Sequence, residues 1–591
     1  MEAETNPTQM RMSLALIGAL AGVSFWYLGE LFSSEIEETR WLLFASAGAF
    51  GFFSTFLALI GPLTLRVSAG AALMLGLIAA SLLTLASFRF PEVWSITIYG
   101  HEIISYFMVL FLSLPFVIAQ MTSESKWRDY EALFDQSWTI VVRYAAAFLF
   151  VGVSWLIVYF CDALLSVVGI PYIGDILEVD FVPFVFTGVA LGAAVAVVNE
   201  LSDYVSAFLI IRLFRLILPV FTLVVIVFIV ALPIRGVGHL FGDLSPAATL
   251  MSIAALVMLF VSSAVDRDDE CAVKTPLMSV ATRLLALTLP VLSGVALYSI
   301  WVRVIEYGWT PDRVDAAVVG VLFLAYGFSY LVPIVRVRND WMSRIRRANV
   351  FLALGGIAIA MLSLTPVLNP KQISTSSQVS RYATGYATAA ELDLWAMKHE
   401  WGIAGQDALV QLRGMAENDP NLATQLERLD LSRSRYAFET NSTDALPAQG
   451  WAQVRDVLPV VPTSSSLPQQ IGFSQSASIW EQVLEGCAIL TSEGHPACVA
   501  ISVELLEGNS AEEIIVLFAN GVDEVQVIGL RPDRLNARQY DLQIDPTAML
   551  GQALSQMPIA VIDRVHGGEF SIEPSGANIL RLESNSIFIQ P

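Results

Sequence analysis

Arg303, Glu306, Tyr307, Thr310, Asp312 and Arg313 crowd into one connector of about a dozen residues between two apolar runs. Two guanidinium groups, two carboxylates and a phenol so close together could hold a lipid headgroup, an acidic segment or a substrate, or could pair among themselves. A second set lies nearer membrane depth. Glu200 and Asp203 face Arg212 and Arg215 across a short connector, and Arg143 and Arg283 sit near the ends of their own apolar runs. Arg212 and Arg215 are three apart, on one helical face. These six read either as interfacial side chains in ion pairs or as a polar seam for a lipid phosphate or an anionic substrate.

Other chemistries find little support. The five histidines, His101, His239, His399, His495 and His566, form no H-E-x-x-H pattern, so no metal and no cofactor is expected. Gly100-His101-Glu102 reads as a helix start, where Glu102 suits the positive end of the dipole. The acidic stretch Glu504–Glu513 lacks the alternating Asp/Asn pattern of a calcium loop and reads as a solvated connector. No P-loop, no dinucleotide fingerprint and no G-x-S-x-G occurs, and no catalytic residue is assigned. Cys161 and Cys271 stand alone at span ends. Cys487 and Cys498 flank the Ser492–Pro496 turn between two predicted strands, a spacing that suits a disulfide stapling a hairpin in an oxidising compartment.

The elements that must carry these residues are mostly membrane spans. Of 591 residues, 55% are hydrophobic and 15% charged, against about 25% charged in an ordinary soluble domain. Eleven apolar runs are long enough to cross a bilayer: 13–31, 41–60, 67–88, 102–120, 139–160, 181–199, 208–232, 247–265, 277–301, 314–335 and 349–367. Gly61-Pro62, Pro91, Gly169-Ile170-Pro171 and Pro246 punctuate them. Gly188 and Gly192 form a G-x-x-x-G step that suggests close helix packing. The first run is long and followed by others, as a plain first span rather than a cleavable signal.

Basic residues set the orientation. Arg336, Arg338, Arg344, Arg346 and Arg347 cluster in one short connector, with Arg11, Arg66, Lys126, Arg128, Arg267 and Lys274 on the same side of the alternation. The expectation is a cytoplasmic N-terminus in a bacterial inner membrane. Eleven spans then place the rest of the chain in the periplasm.

That remainder is acidic. From Lys371 onward, 13 Lys and Arg face 27 Asp and Glu, a net of −14 out of −21 for the whole chain. Nucleic acid is excluded as a partner, since phosphate binding needs a basic face. Lys371–Tyr386 reads as a Ser/Thr/Gln-rich linker, and Glu391–Asp430 as helices broken at Gly402, Gly405 and Asp419-Pro420. Asn441–Ser474 reads as loop. Cys487–Leu490, Val499–Leu505, Glu513–Phe518, Val522–Ile528, Tyr540–Ile544, Glu569–Glu573 and Ile579–Ile589 read as strands, with a helix at Thr547–Gln556. The fold class is therefore a polytopic α-helical membrane protein with a C-terminal extracytoplasmic α+β domain. Residues 1–368 form the transmembrane bundle, 369–440 a linker with juxtamembrane helices, and 441–591 the aqueous domain.

Three segments carry a family resemblance. They are Arg212–Pro219 opening a span, Leu297–Val314 with its Y-G-W-T-P-D-R turn, and Ser380–Leu412, ending E-L-D-L-W-A-M-K-H-E-W-G-I-A-G-Q-D-A-L-V-Q-L. From about Phe208 onward the chain resembles the bacterial membrane proteins grouped as domain of unknown function 4153. The resemblance implies an inner-membrane protein and no particular activity. The chain departs from relatives at Glu504–Glu513, where they carry an acidic D-x-N-G-D-G-type turn. Two functions compete. One is a non-catalytic envelope protein that binds, senses or assembles with a periplasmic protein or lipid-linked ligand. The other is a transporter or flippase for an anionic or lipid-linked solute, which needs the polar seam to line a cavity at mid-depth.

Overall fold

The computed structural model describes residues 7–33, 39–169, 172–200, 208–235, 245–336, 340–432, 434–435 and 438, most of 451–503, and 512–519, 525–532, 539–543, 559–574, 578–582 and 585–587. Asp203, His239, Arg338, the stretch 504–511 and the expected helix Thr547–Gln556 lie outside the described residues. The chain divides into two units, Met1–Glu427 and Arg428–Pro591.

Among the described residues of the first unit, eleven helices are long and apolar enough to cross a membrane. They include α1 (Pro7–Ser33), α2 (Thr39–Leu59), α3 (Leu65–Ser87), then past a short α4 (Ser95–Tyr99), α5 (Glu102–Thr122) and α6 (Tyr130–Val167). A short α7 (Tyr172–Leu177) leads to α8 (Phe181–Glu200), α9 (Phe208–Arg235), α10 (Pro246–Val265), α11 (Pro276–Tyr307), α12 (Pro311–Arg336) and α13 (Trp341–Ser363). Each of the eleven expected spans falls on one of them, because a segment in lipid must satisfy its backbone internally and a helix does so. Several run beyond the apolar run that marks them. The extra turn of α6 begins at Asp129, whose carboxylate accepts from Ala132 N at 3.3 Å, and Pro246, Pro276 and Pro311 each stand at a first helical position.

The helices bury two separate cores. One gathers α1, α2, α3, α5, α6 and α8 around Phe56, Leu75, Leu110 and Leu114. The other gathers α9, α10, α11 and α12 around Leu218, Val257, Leu289 and Tyr330. α13 belongs to both: Trp341 and Ile345 pack in the second core, Ala360 and Leu364 in the first. α1 meets α8 at bare backbone. A Cβ on Gly18 would lie 1.9 Å from Gly188 O, and one on Gly192 2.1 Å from Leu14 O, so the G-x-x-x-G step does pack closely.

The expected linker is a helix, α14 (Pro370–Ala383). Asn369 caps it, accepting from Gln372 N at 3.4 Å, and Pro370 opens it. Its buried face carries mostly polar residues, Lys371, Ser374, Thr375 and Gln378 beside Pro370 and Val379, which is why hydrophobic periodicity misses it. α15 (Leu394–His399), α16 (Gly402–Ala416) and α17 (Pro420–Leu431) follow, with breaks at Gly402 and Asp419-Pro420; Gly405, expected to break the run, lies inside α16, where its bare Cα packs against Met397 O.

In the second unit, β1 (Val460–Val461), β3 (Cys498–Val503), β4 (Glu513–Ala519), β5 (Val525–Pro532), β6 (Gln539–Gln543) and β2 (Gln470–Gly472) make one sheet, ordered β1-β3-β4-β5-β6-β2. The β1/β3 and β2/β6 pairs are parallel and the central ones antiparallel. Strands β7 (Ser571–Pro574), β8 (Asn578–Leu582) and β9 (Asn585–Ile587) make a second, antiparallel sheet. Alternate residues of the large sheet serve opposite faces. Val499, Ile501, Ile515 and Leu517 pack on α19 (Ala560–His566), while Ala500, Val516, Phe518 and Ile528 pack on α18 (Ala477–Ala488). The expected strand at Cys487–Leu490 is thus a helix end. Trp480, Val483, Leu484 and Cys487 recur at helical spacing on its buried side, and the apolar run is too short to reveal its period alone. Cys487 and Cys498 are joined by a disulfide, tying α18 to β3 rather than two strands of a hairpin.

Candidate functional site

α3 ends at Ser87, and the chain turns through Phe88, Arg89 and Phe90, with Arg89 N on Ala86 O at 3.0 Å and Phe90 N on Ser87 O at 3.1 Å. The turn sends the Arg89 side chain inward, 9% exposed. Its Nη2 donates to Ser363 O (2.7 Å), Thr365 O (2.6 Å) and Leu368 O (3.2 Å), the carbonyls at and after the C-terminus of α13. A cation is favoured there by the helix dipole. Its Nη1 reaches Glu102 Oε1 at 3.0 Å. Glu102 opens α5, is 4% exposed, and through the same Oε1 takes Lys371 Nζ at 3.2 Å.

Two buried cations therefore share one carboxylate. Lys371, also 4% exposed, places Nζ 4.4 Å from the Phe90 ring centroid, a cation–π contact that supplements the shared oxygen. The other oxygen of Glu102, Oε2, is buried and has no hydrogen-bond partner among the described residues. Burial pushes the Lys371 ammonium below its ordinary value, against the pull of Glu102, and nearby Arg89 lowers it further.

Over this cluster lies a cavity of about 580 Å³. Leu85 and Phe88 give it an apolar side, Gln372 and Ser376 of α14 a polar wall, and Asp407 and Gln411 of α16 the facing wall, with Arg89 and Lys371 at the lining. α16 closes on it through glycine. Gly402 has φ +59° and a Cβ there would lie 2.3 Å from Arg89 O; the next residue, Ile403, donates its N–H to that oxygen at 2.9 Å. A Cβ on Gly405 would lie 2.0 Å from Met397 O. Side chains at either position would hold α16 away from α3 and α15.

The connector singled out from the sequence adjoins this cluster. His101 Nε2 meets Asp312 Oδ1 at 2.9 Å, and that bond holds the imidazole above its ordinary value, burial opposing and Asp315 assisting. Arg303 and Arg313 lie over the Tyr307 ring at 5.6 and 5.7 Å, Arg303 approaches Glu306 at 3.8 Å, and Arg313 Nη1 donates to Gly308 O at 2.7 Å. α14 grips the turn's backbone. Gln378 Nε2 donates to Tyr307 O (3.0 Å) and Trp309 O (3.3 Å), and Arg381 Nη2 to Glu306 O (3.0 Å). Thr310 Oγ1 accepts from Arg313 N at 3.4 Å. The six residues are brought together, and the backbone they form is occupied by α14.

The polar seam is not brought together. Glu200 pairs with Arg11, Nε to Oε1 at 2.9 Å, and not with Arg212 or Arg215. Arg143 donates to Ala58 O (3.2 Å) and Ile60 O (3.0 Å). Arg212 lies over Phe208 at 3.9 Å and Arg283 over Trp341 at 5.2 Å. Arg215 pairs with Asp266 and donates to Ser263 O (2.8 Å) and Cys271 O (2.9 Å). A second cavity, about 1,040 Å³, lies among helices of both cores, lined by Phe25, Phe53, Phe111, Trp138, Phe148 and Phe214 among others. Arg143, Glu200, Arg212, Arg215 and Arg283 are absent from that lining.

Of the clustered arginines, Arg336, Arg344 and Arg347 are exposed. Arg346 is buried, with Nη2 on Val265 O at 2.8 Å and Nη1 on Asp269 at 2.7 Å. Arg89 and Lys371 escape sequence reasoning as site residues, and Glu102 reads only as a helix start. The available signal is positional: each cation stands just past the C-terminal end of an apolar helix, α3 for Arg89 and α13 for Lys371.

A family profile, a domain of unknown function (DUF4153), matches residues 40–411, so every residue lining the smaller cavity falls within the match. No curated protein and no solved structure matches the chain. The chain belongs to the DUF4153 family.

Proposed function

We propose that this DUF4153 chain is an integral protein of the bacterial inner membrane that binds an anionic group at the Arg89–Lys371 cavity, as an envelope binding or sensing protein rather than a catalyst. The observation that carries the proposal is the shared carboxylate. Arg89 and Lys371 bring two cations to one wall of a cavity with one apolar side, Glu102 behind them and Asp407 on the facing wall, which suits a phosphate or carboxylate head held at the cationic wall and attached to an apolar body. The sign asymmetry of the connectors supports a cytoplasmic N-terminus and a periplasmic C-terminal unit. The cavity then opens on the periplasmic side. The transporter alternative has less support, since the central cavity is walled by aromatic rings and the seam charges are spent on carbonyls, rings and single partners.

The test is native mass spectrometry of the purified full chain with phosphatidylglycerol or phosphatidylcholine supplied in equal amounts. Preferential retention of the anionic lipid, lost in Lys371→Met and kept in Arg344→Gln, is expected. Equal retention of both lipids, or no change in Lys371→Met, overturns the proposal. A reporter active only outside the inner membrane, fused after Pro591, tests the orientation.

A further inference from the structure

We propose that the C-terminal unit carries a site for one divalent transition-metal ion, zinc fitting best, built from Glu493, His495 and Asp563. Among the described residues, these three bring a carboxylate oxygen, an imidazole nitrogen and a second carboxylate oxygen within 4.8 Å of one another. His495 Nδ1 and Asp563 Oδ1 are already 3.1 Å apart. Zinc bonds of about 2.0–2.2 Å to nitrogen and oxygen, set tetrahedrally, place ligand atoms about 3.3–3.6 Å apart. Glu493 is exposed, so a rotamer change can close the remaining ångström or so. One imidazole and two carboxylates fill three positions and leave the fourth to water or to an incoming ligand.

The surrounding fold holds these groups as a metal site requires. Two of the ligands stand on a tight turn. Thr491 N bonds His495 O at 2.8 Å, Ala497 N bonds Ile489 O at 2.7 Å, and Gly494 takes φ +84°, which spares a side chain the left-handed conformation. The Cys487–Cys498 disulfide closes the chain just outside this turn. The third ligand, Asp563 on α19, is 7% exposed. Thr491 Oγ1 donates to its Oδ1 and Ser492 Oγ to its Oδ2 at 3.4 Å. Hydroxyls that fix a ligating carboxylate are the outer shell that tunes and orients such a site. His566 lies beside His495, the rings tilted by 33° with centroids 5.0 Å apart, and its Nε2 is 3.1 Å from Pro496 O, so that it braces the ligating ring. The ligands are two and sixty-eight residues apart, which is why no sequence motif announces them.

The experiment uses the full chain in detergent, free of any histidine tag, stripped with chelator and titrated with Zn²⁺ against a chromophoric competitor. One equivalent per chain is expected. Glu493→Gln and His495→Gln should each weaken binding by more than the about tenfold that loss of a supporting residue costs, and Thr491→Val by about that tenfold. His399→Gln, in the other unit of the chain, should bind as the wild type does. Both ligand substitutions replace exposed side chains, and an unchanged elution volume shows that the variants stay folded. Failure of the wild type to retain stoichiometric zinc overturns the proposal. So does zinc whose affinity is unchanged in E493Q and H495Q, since it would then be held elsewhere.

Discussion

The two ends of the helical unit treat buried arginine in opposite ways. At the end formed by Asp266–Cys271, Arg215 pairs with Asp266 and Arg346 with Asp269 at 2.7 Å, while the more exposed Arg267 lies among Asp135 at 2.9 Å, Asp268 at 3.2 Å and Glu131 at 4.0 Å. Carbonyls of Ser263, Val265 and Cys271 take the remaining donors. At the other end Arg89 and Lys371 lean on one oxygen of Glu102, and its second oxygen has no donor among the described residues. The first arrangement is saturated and has nothing left to offer a ligand. The second is charged, incompletely paired and open to a cavity, and the difference separates a structural clasp from a candidate site better than the number of charges does.

Glu102→Ala is the severest way to break this contrast. It leaves two buried cations uncompensated, a loss of about 3–5 kcal/mol, read as a large drop in the melting temperature of the detergent-solubilised protein. Gly402→Ala comes next, because its Cβ meets Arg89 O and its φ is left-handed; about 3 kcal/mol is expected, with the anionic lipid lost as well. Arg346→Ala, at the saturated end, should cost about 2 kcal/mol for its hydrogen bonds while leaving lipid retention unchanged. If it abolishes retention, the two ends are not distinct in role.

His101 sharpens the contrast through pH. Its folded-state value is raised above 6.5 by Asp312, so the stabilisation it contributes is full below that value and is lost as pH rises through the folded value. Asp312 is 82% exposed, so the melting-temperature difference between wild type and His101→Asn should be about a degree or less and confined to the acid side. Arg303→Ala, an exposed pair at 3.8 Å, should change stability by no more than about 0.5 kcal/mol.

What could be read in advance follows from which forces act locally. A run such as Phe208–Leu232 must be a helix in lipid whatever surrounds it, so the spans were legible one by one. The break at Gly402 was legible too, though not the Arg89 carbonyl it approaches, whereas Gly405 marks a close contact inside α16 and not a break. α14 was illegible because Ser374 and Gln378 bury polar side chains on carbonyls, the former on Pro370 O and the latter on Tyr307 O, and periodicity counts only apolar burial. The Arg89–Glu102–Lys371 cluster joins residues 13 and 269 positions apart. No local pattern encodes such a meeting, and a single carboxylate opening a helix looks the same in sequence whether it caps the helix or anchors two cations.

α13 begins in one core and finishes in the other. It therefore ties together two cores that also meet at Trp138 against Phe214 and at Arg267 with Asp135, and its far tip is gripped by the Arg89 guanidinium through Ser363 O, Thr365 O and Leu368 O. A ligand that drew Arg89 away would therefore uncap the one helix that both cores share.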